Sequence, residues 1–236
     1  AWSASPATNS DGVHIGGMIG FLQSVGFAVR TLFPTRLIIV FDGPGGSQRR
    51  RKIYKGYKGK RKPPKRPYRF QEMDVENDKE SMRRQINRLI EYLSNLPVTI
   101  VTIDNIEADD TIAYITENVL ADSKISIMSS DKDFLQLVSD RVSVWSPTKK
   151  ILYDRYRVQD EYKMLCENMI YYRIVDGDKS DNINGIRGYA LKTILKKMPF
   201  LKDTNISNIE EFINKSGFKD HEQLLERNYR LMQLSD

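Results

Sequence analysis

The 236-residue sequence contains one cysteine, Cys166, and two histidines, His14 and His221. A single thiol excludes an internal disulfide, and so few soft ligands exclude a Cys/His zinc site, so any metal must be held by oxygen. No apolar run approaches the roughly 18 residues needed to cross a bilayer, and the first residues lack the basic and apolar stretches of a signal peptide. Internal repeats, heptads and the aspartate-rich loop of calcium-storage sites are absent as well. With 40% hydrophobic residues the chain has enough apolar side chains to build a core. The expectation is a soluble, monomeric, intracellular protein with no membrane partner.

Acidic residues are missing from one long stretch. RRRKIYKGYKGKRKPPKRPYR, residues 49–69, carries 12 of the 37 Lys and Arg and none of the 31 Asp and Glu. The remainder holds 25 basic against 31 acidic residues, a net charge of −6. Positive charge is thus segregated, which marks a surface for a polyanion. Tyr54, Tyr57 and Tyr68 are interleaved with that charge and are candidates for stacking on bases, which favours nucleic acid over a membrane surface. A solvated basic linker is the competing reading.

Short β-branched runs at 36–41, 98–103 and 124–129 predict strands. SMRRQINRLIEYL (81–93) and DTIAYITENVL (110–120) predict helices, the second with Ile112, Ile115 and Val119 on one stripe. Such alternation implies an α/β fold with a mostly parallel central sheet and helices on both faces. Acidic residues follow each strand: Asp42 after the first, Glu107, Asp109 and Asp110 after the second, Asp131 and Asp133 after the third. Asp178 and Asp181 lie in a later glycine-containing turn. The C-terminal edge of such a sheet is where ligands bind. Two carboxylates about 5 Å apart repel by roughly 3 kcal/mol at an effective dielectric near 20, so acids converging there would need cations. Oxygen donors select a hard divalent ion such as Mg²⁺ or Mn²⁺, and two such ions beside a basic segment suit phosphodiester hydrolysis.

The motifs, taken in order, narrow this further. FDG (41–43), YKGKR (57–61), EADD (107–110), SSDKDFLQL (129–137) and GDKSDNINGI (177–186) resemble those of the flap endonuclease and 5′-3′ exonuclease superfamily. TNSDGVHIGGMIGFL (8–22) is similar to the segment that follows the family's first strand. The basic insert and the VWSP after the third strand lean towards the phage branch related to phage RNase H. The resemblance implies a PIN-like nuclease core over 1–160 and a helical DNA-binding subdomain over 161–236. It also implies two Mg²⁺ ions, replaceable by Mn²⁺. By position, Asp42, Glu107, Asp109 and Asp131, with Asp110 beside them, match ligands around the first ion, and Asp133, Asp178 and Asp181 those around the second. Arg50 and Lys58 match basic residues that steer the scissile phosphate at the base of a helical arch, here about 49–80. Arg49, Tyr57 and Arg61 are further nucleic-acid candidates in that segment.

NINGIRGYALKTILKK (182–197) resembles the family's helix-hairpin-helix-type motif. Gly185 and Gly188 would form the turn that faces a phosphate, Lys192, Lys196 and Lys197 would line the following helix, and K⁺ would sit in the turn. Ala190 departs from the usual glycine, and Asn184 and Arg187 from common prolines, which bears on K⁺ more than on duplex contact. The family's opening strand, ending in an aspartate, has no counterpart here, so residues upstream are expected. Implied partners are branched or 5′-ended DNA, RNA/DNA hybrid, and a sliding clamp or single-strand-binding protein, in the cytoplasm (of the host, if phage-encoded). The activity implied is a 5′ nuclease removing flaps, RNA primers and 5′ ends. The alternatives are a structure-specific DNA-binding protein with weak hydrolysis and a single-strand ribonuclease of PIN type.

Overall fold

A computed structural model describes residues 5–62 and 77–234. Much of the expected arch, and Tyr68 with it, lies outside the described residues. In chain order the elements are α1 (Gly16–Leu32), β1 (Ile38–Phe41), α2 (Gln48–Ile53), α3 (Asp78–Leu93), β2 (Thr99–Thr102), α4 (Ala108–Tyr114), β3 (Ile125–Met128), β4 (Val142–Ser146), β5 (Ile151–Tyr153), α5 (Arg155–Tyr162), α6 (Met169–Asp176), β6 (Gly177–Asp178), β7 (Ile183–Asn184), α7 (Leu191–Lys197), α8 (Ile209–Ser216) and α9 (Glu222–Met232). The three predicted strands and both predicted helices are present. By contact density the chain falls into two compact units, 1–40 with 62–101, and 41–61 with 102–236.

In the first unit, α1 packs on α3. The side chain of Gln85 on α3 accepts from the amides of Gly17 and Met18 at 2.8 and 3.2 Å, satisfying donors that a helix start leaves free. Asn77 caps α3 by accepting from the Glu80 amide at 2.9 Å.

In the second unit, β3 pairs parallel with β4, Ile127 opposite Val144, and β4 pairs antiparallel with β5. β4 and β5 are joined by residues 147–150, and so short a link cannot make the crossover that parallel strands require. Helix α6 lies at the centre: Met169 to Val175 are all buried. Around it the core takes in Val144, Met164, Ile194, Phe212 and Leu225, with Tyr171 stacked on Phe212 at 4.9 Å. The stripe expected along 110–120 is cut short. A π-helical turn over Ile115–Val119, closed by the Leu120 amide on the Ile115 carbonyl at 2.8 Å, shifts the phase and leaves Val119 60% exposed. No described helix is long and apolar enough to cross a membrane.

One polar residue fixes the hairpin of β6 and β7. Buried Asn228 on α9 donates to the carbonyls of Ile174 and Asn184, each at 2.9 Å. Asn228→Ala removes both bonds, leaving the buried Ile174 carbonyl without this donor, and should lower unfolding free energy by about 1–3 kcal/mol, measurable by urea denaturation. A loss below about 0.5 kcal/mol would mean that the hairpin is held by other contacts.

Candidate active site

The second unit carries all eight candidate carboxylates. Asp42 immediately follows β1, and Gly43 beside it has no alternative: a Cβ there would collide with the Ile103 carbonyl. The close approach lets Asp42 Oδ1 accept from the Ala108 amide at 2.8 Å, so one acidic loop fills the free donor at the start of α4. Glu107 sits in extended backbone at the N-cap of α4 and puts Asp109 and Asp110 in its first turn. The helix-start reading of these acids therefore holds, but it does not exhaust them. Carboxylate oxygens of Glu107, Asp109 and Asp110 all lie within 4.8 Å of one another.

Basic side chains reach into this group. Arg50 on α2 is fully buried; its guanidinium donates to Glu107 at 2.6 Å, to both oxygens of Asp110 at 2.6 Å each, and to the Leu231 carbonyl at 2.7 Å. Lys58 forms a short ion pair with Glu107. Its backbone is in the left-handed region at φ 55°, which costs a non-glycine residue about 1 kcal/mol, and its amide is held by the Asp181 carbonyl at 2.9 Å. Arg61 pairs with Asp181, and exposed Arg49 approaches Asp110 at 3.5 Å.

The remaining acids gather around a residue that sequence reasoning missed. Arg173, buried in α6, donates to Asp133 through Nε at 2.6 Å and to Asp178 through Nη2 at 2.7 Å. Asp131 caps the 3-10 turn Lys132–Leu137 by accepting from the Asp133 amide at 2.9 Å. Fields link the two groups: buried Tyr57 feels Glu107, Asp181 and Asp109, and Arg61 feels both Asp181 and Asp131.

Burial pushes the Asp109 carboxyl up to about 6, helped by Asp110 and Glu107 and opposed by Arg50. Burial likewise raises Asp133 to about 7 despite Arg173. Burial also works against ionised Glu107 and Asp178, but hydrogen bonds from Lys58 and Ser180 with the charges of Arg50 and Arg173 hold both below the usual range.

Two expected roles change. Tyr57 is 2% exposed with its hydroxyl 3.3 Å from Glu107, so it is not available to stack on a base. The guanidinium of Arg50 is consumed by internal partners, so here it positions Glu107 and Asp110 and does not present its charge to a phosphate. Tyr54 is half-buried under Arg227, 4.7 Å from its ring. In the 182–197 element, a Cβ on Gly185 would strike the backbone of Val175 and Asp176, so this glycine serves the packing of the turn on α6. Gly188 has φ 86° and open space around it, while Lys192 and Lys196 project from α7 into solvent. Lys197 instead donates to the Tyr189 hydroxyl at 2.9 Å.

The pH consequence has a definite sign. Asp109 and Asp133 bind protons more tightly folded than unfolded, so they stabilise at low pH and that contribution is lost as pH rises through about 6 to 7, whereas Glu107 and Asp178, held below the usual carboxylate range, act in the opposite sense and only at more acidic pH. In EDTA, Tm should therefore fall between about pH 5 and 7.5, and Mg²⁺ should flatten the fall. A Tm that rises steadily over that range in EDTA would contradict this electrostatic picture.

The chain as a whole is similar to known proteins. Residues 1–163 match the family model described as 5′-3′ exonuclease, N-terminal resolvase-like domain. The chain is 32% identical over 233 residues to a 5′-3′ exonuclease of Aquifex aeolicus (strain VF5), covering 97% of this chain and 75% of that protein. It is 31% identical over 199 residues to the DNA polymerase I of Treponema pallidum (strain Nichols), covering 82% of this chain but only 18% of the polymerase. In fold it is similar to the bacteriophage T5 flap endonuclease solved with DNA and metal ions, with a TM-score of 0.63 at 20% identity, over 94% of this chain and 84% of that one. The chain belongs to the 5′-3′ exonuclease family.

Proposed function

We propose that this protein is a divalent-metal-dependent 5′ nuclease that hydrolyses phosphodiesters near junctions between single strand and duplex: 5′ flaps, RNA primers and 5′ ends. The observation that carries the reading is the convergence of Glu107, Asp109 and Asp110 beside Asp42. An all-oxygen, carboxylate-rich donor set of that size fits a hard divalent cation. Glu107, Asp109 and Asp110, with Asp42 and Asp131, would hold one Mg²⁺, and Asp133, Asp178 and Asp181 a second. Bound there, the ions would supply Lewis acidity for the phosphoryl group and lower the pKa of an attacking water.

The protein's own side chains do the rest. Arg50 holds Glu107 and Asp110 at a fixed separation. Lys58 and the exposed Arg61 are cations on a turn, each tied to one acid, and can exchange that partner for a phosphate. Lys192 and Lys196, one helical turn apart on α7, would track the duplex backbone with the turn at Gly188. The basic stretch from Arg49 onward offsets repulsion between an acidic cleft and an anionic strand. Recruitment by a sliding clamp or single-strand-binding protein belongs to the same reading, as do a monomeric state, a cytoplasmic site of action and K⁺ in the 182–190 turn.

Mapping the products from a 5′-flapped duplex tests the activity: cleavage near the junction is expected with Mg²⁺ and none with EDTA. Asp109→Asn should lower kcat at least about 100-fold while leaving duplex affinity unchanged or tighter. Unchanged turnover would remove this acid from the chemistry. Replacing Lys192 and Lys196 by Glu should weaken duplex binding and flatten its dependence on salt by about two phosphate contacts. A salt slope equal to the parent's would place the duplex on another surface.

A further inference from the structure

Arg173 interrupts an otherwise apolar helix, and all three of its nitrogens are engaged: Nε on Asp133, Nη2 on Asp178 and Nη1 on the Gly177 carbonyl at 3.4 Å. It is 4% exposed, so the charge is committed to those partners. Asp178 is heavily engaged as well. Its Oδ2 takes Arg173, and its Oδ1 accepts from the Ser180 amide at 2.7 Å, the Ser180 hydroxyl at 2.6 Å and the Asp181 amide at 3.2 Å. Oδ1 thus carries three donors for about two lone-pair directions, while Oδ2 keeps one direction open beside Arg173. Among the described residues, Glu107, Asp109 and Asp110 form the one group of three or more acids whose oxygens lie within 4.8 Å of one another.

We propose that Arg173 is a resident counter-ion competing with the second divalent cation for the Asp133–Asp178 pair, so that this chain assembles its second metal site only when the guanidinium gives up a carboxylate. The inference rests on the two-cluster reading above. It makes Arg173 a positioning residue that sets the affinity of the second ion, whereas Arg50 and Lys58 are the cations on the acids of the first. The fixed positive charge opposes a divalent ion about 5 Å away strongly enough, even with water-like screening, to cost about tenfold in affinity.

Titration of the full chain with Mn²⁺, followed by the paramagnetic resonance of the free ion, separates the two sites. The unsubstituted protein should bind one ion tightly and a second more weakly. In Arg173→Gln the weaker constant should tighten by about tenfold or more, the tighter one should move less than about twofold, and Tm, lowered in EDTA, should gain more from Mn²⁺ than the parent's does. Arg173→Lys keeps the charge but reaches only one carboxylate, so its second constant should tighten by about threefold. This variant decides the matter if Arg173→Gln fails to fold without metal. A second constant unchanged or weakened in a natively folded variant overturns the proposal while leaving two ions in place. A single ion in every protein overturns the two-ion reading and the proposal with it.

Discussion

Like charge brought together is the constraint from which the rest of this structure follows. Eight carboxylates from four separate loops lie in one compact unit, and five basic side chains, Arg49, Arg50, Lys58, Arg61 and Arg173, are paired with them. The acids remain in excess. Burial raises the cost of the imbalance, and Asp109 and Asp133 respond by holding their protons towards neutral pH. A buried arginine among buried acids is not a source of stability in itself, because desolvation offsets most of the attraction. Its value here is geometric: Arg50 and Arg173 each clamp two carboxylates and thereby fix two acidic groups in place.

The scaffold serves this arrangement at specific points. Gly43 permits the backbone approach that sets Asp42 against the start of α4, and the N-caps at Glu107 and Asp131 turn ordinary helix-start chemistry into a display of acids. Strain at Lys58 is held by the hydrogen bond that its backbone N–H donates to the Asp181 carbonyl, so the basic turn and the 178–185 hairpin are fixed to each other. Asn228 in turn fixes that hairpin to α6 and α9. An acid displaced at any of these points would alter the charge felt by the others.

Much of this was legible from the chain alone, because strand ends followed by acids is a local pattern with a physical meaning. Strands at 38–41, 99–102 and 125–128 and the motifs FDG, EADD and SSDKD needed no tertiary information. What could not be read was burial. Tyr57 reads as a stacking residue in a basic stretch, yet it is buried with its hydroxyl on Glu107; Arg50 reads as a free cation, yet each of its three nitrogens is bonded internally. Arg173 left one signal, a lone charge inside NMIYYRIV five residues before Asp178, meaningful only once the helix proves buried on all sides. The π-helical turn at 115–119 left none, since its residues fit an α-helical period as well.

A crystal soaked in Mn²⁺ and examined by anomalous scattering addresses the central claim most directly. The account predicts an anomalous peak bonded to oxygens of Glu107, Asp109 or Asp110, with Arg50 still pairing Asp110 or displaced from it. No peak there at saturating Mn²⁺, or a peak held only by carboxylates outside this set, would contradict it.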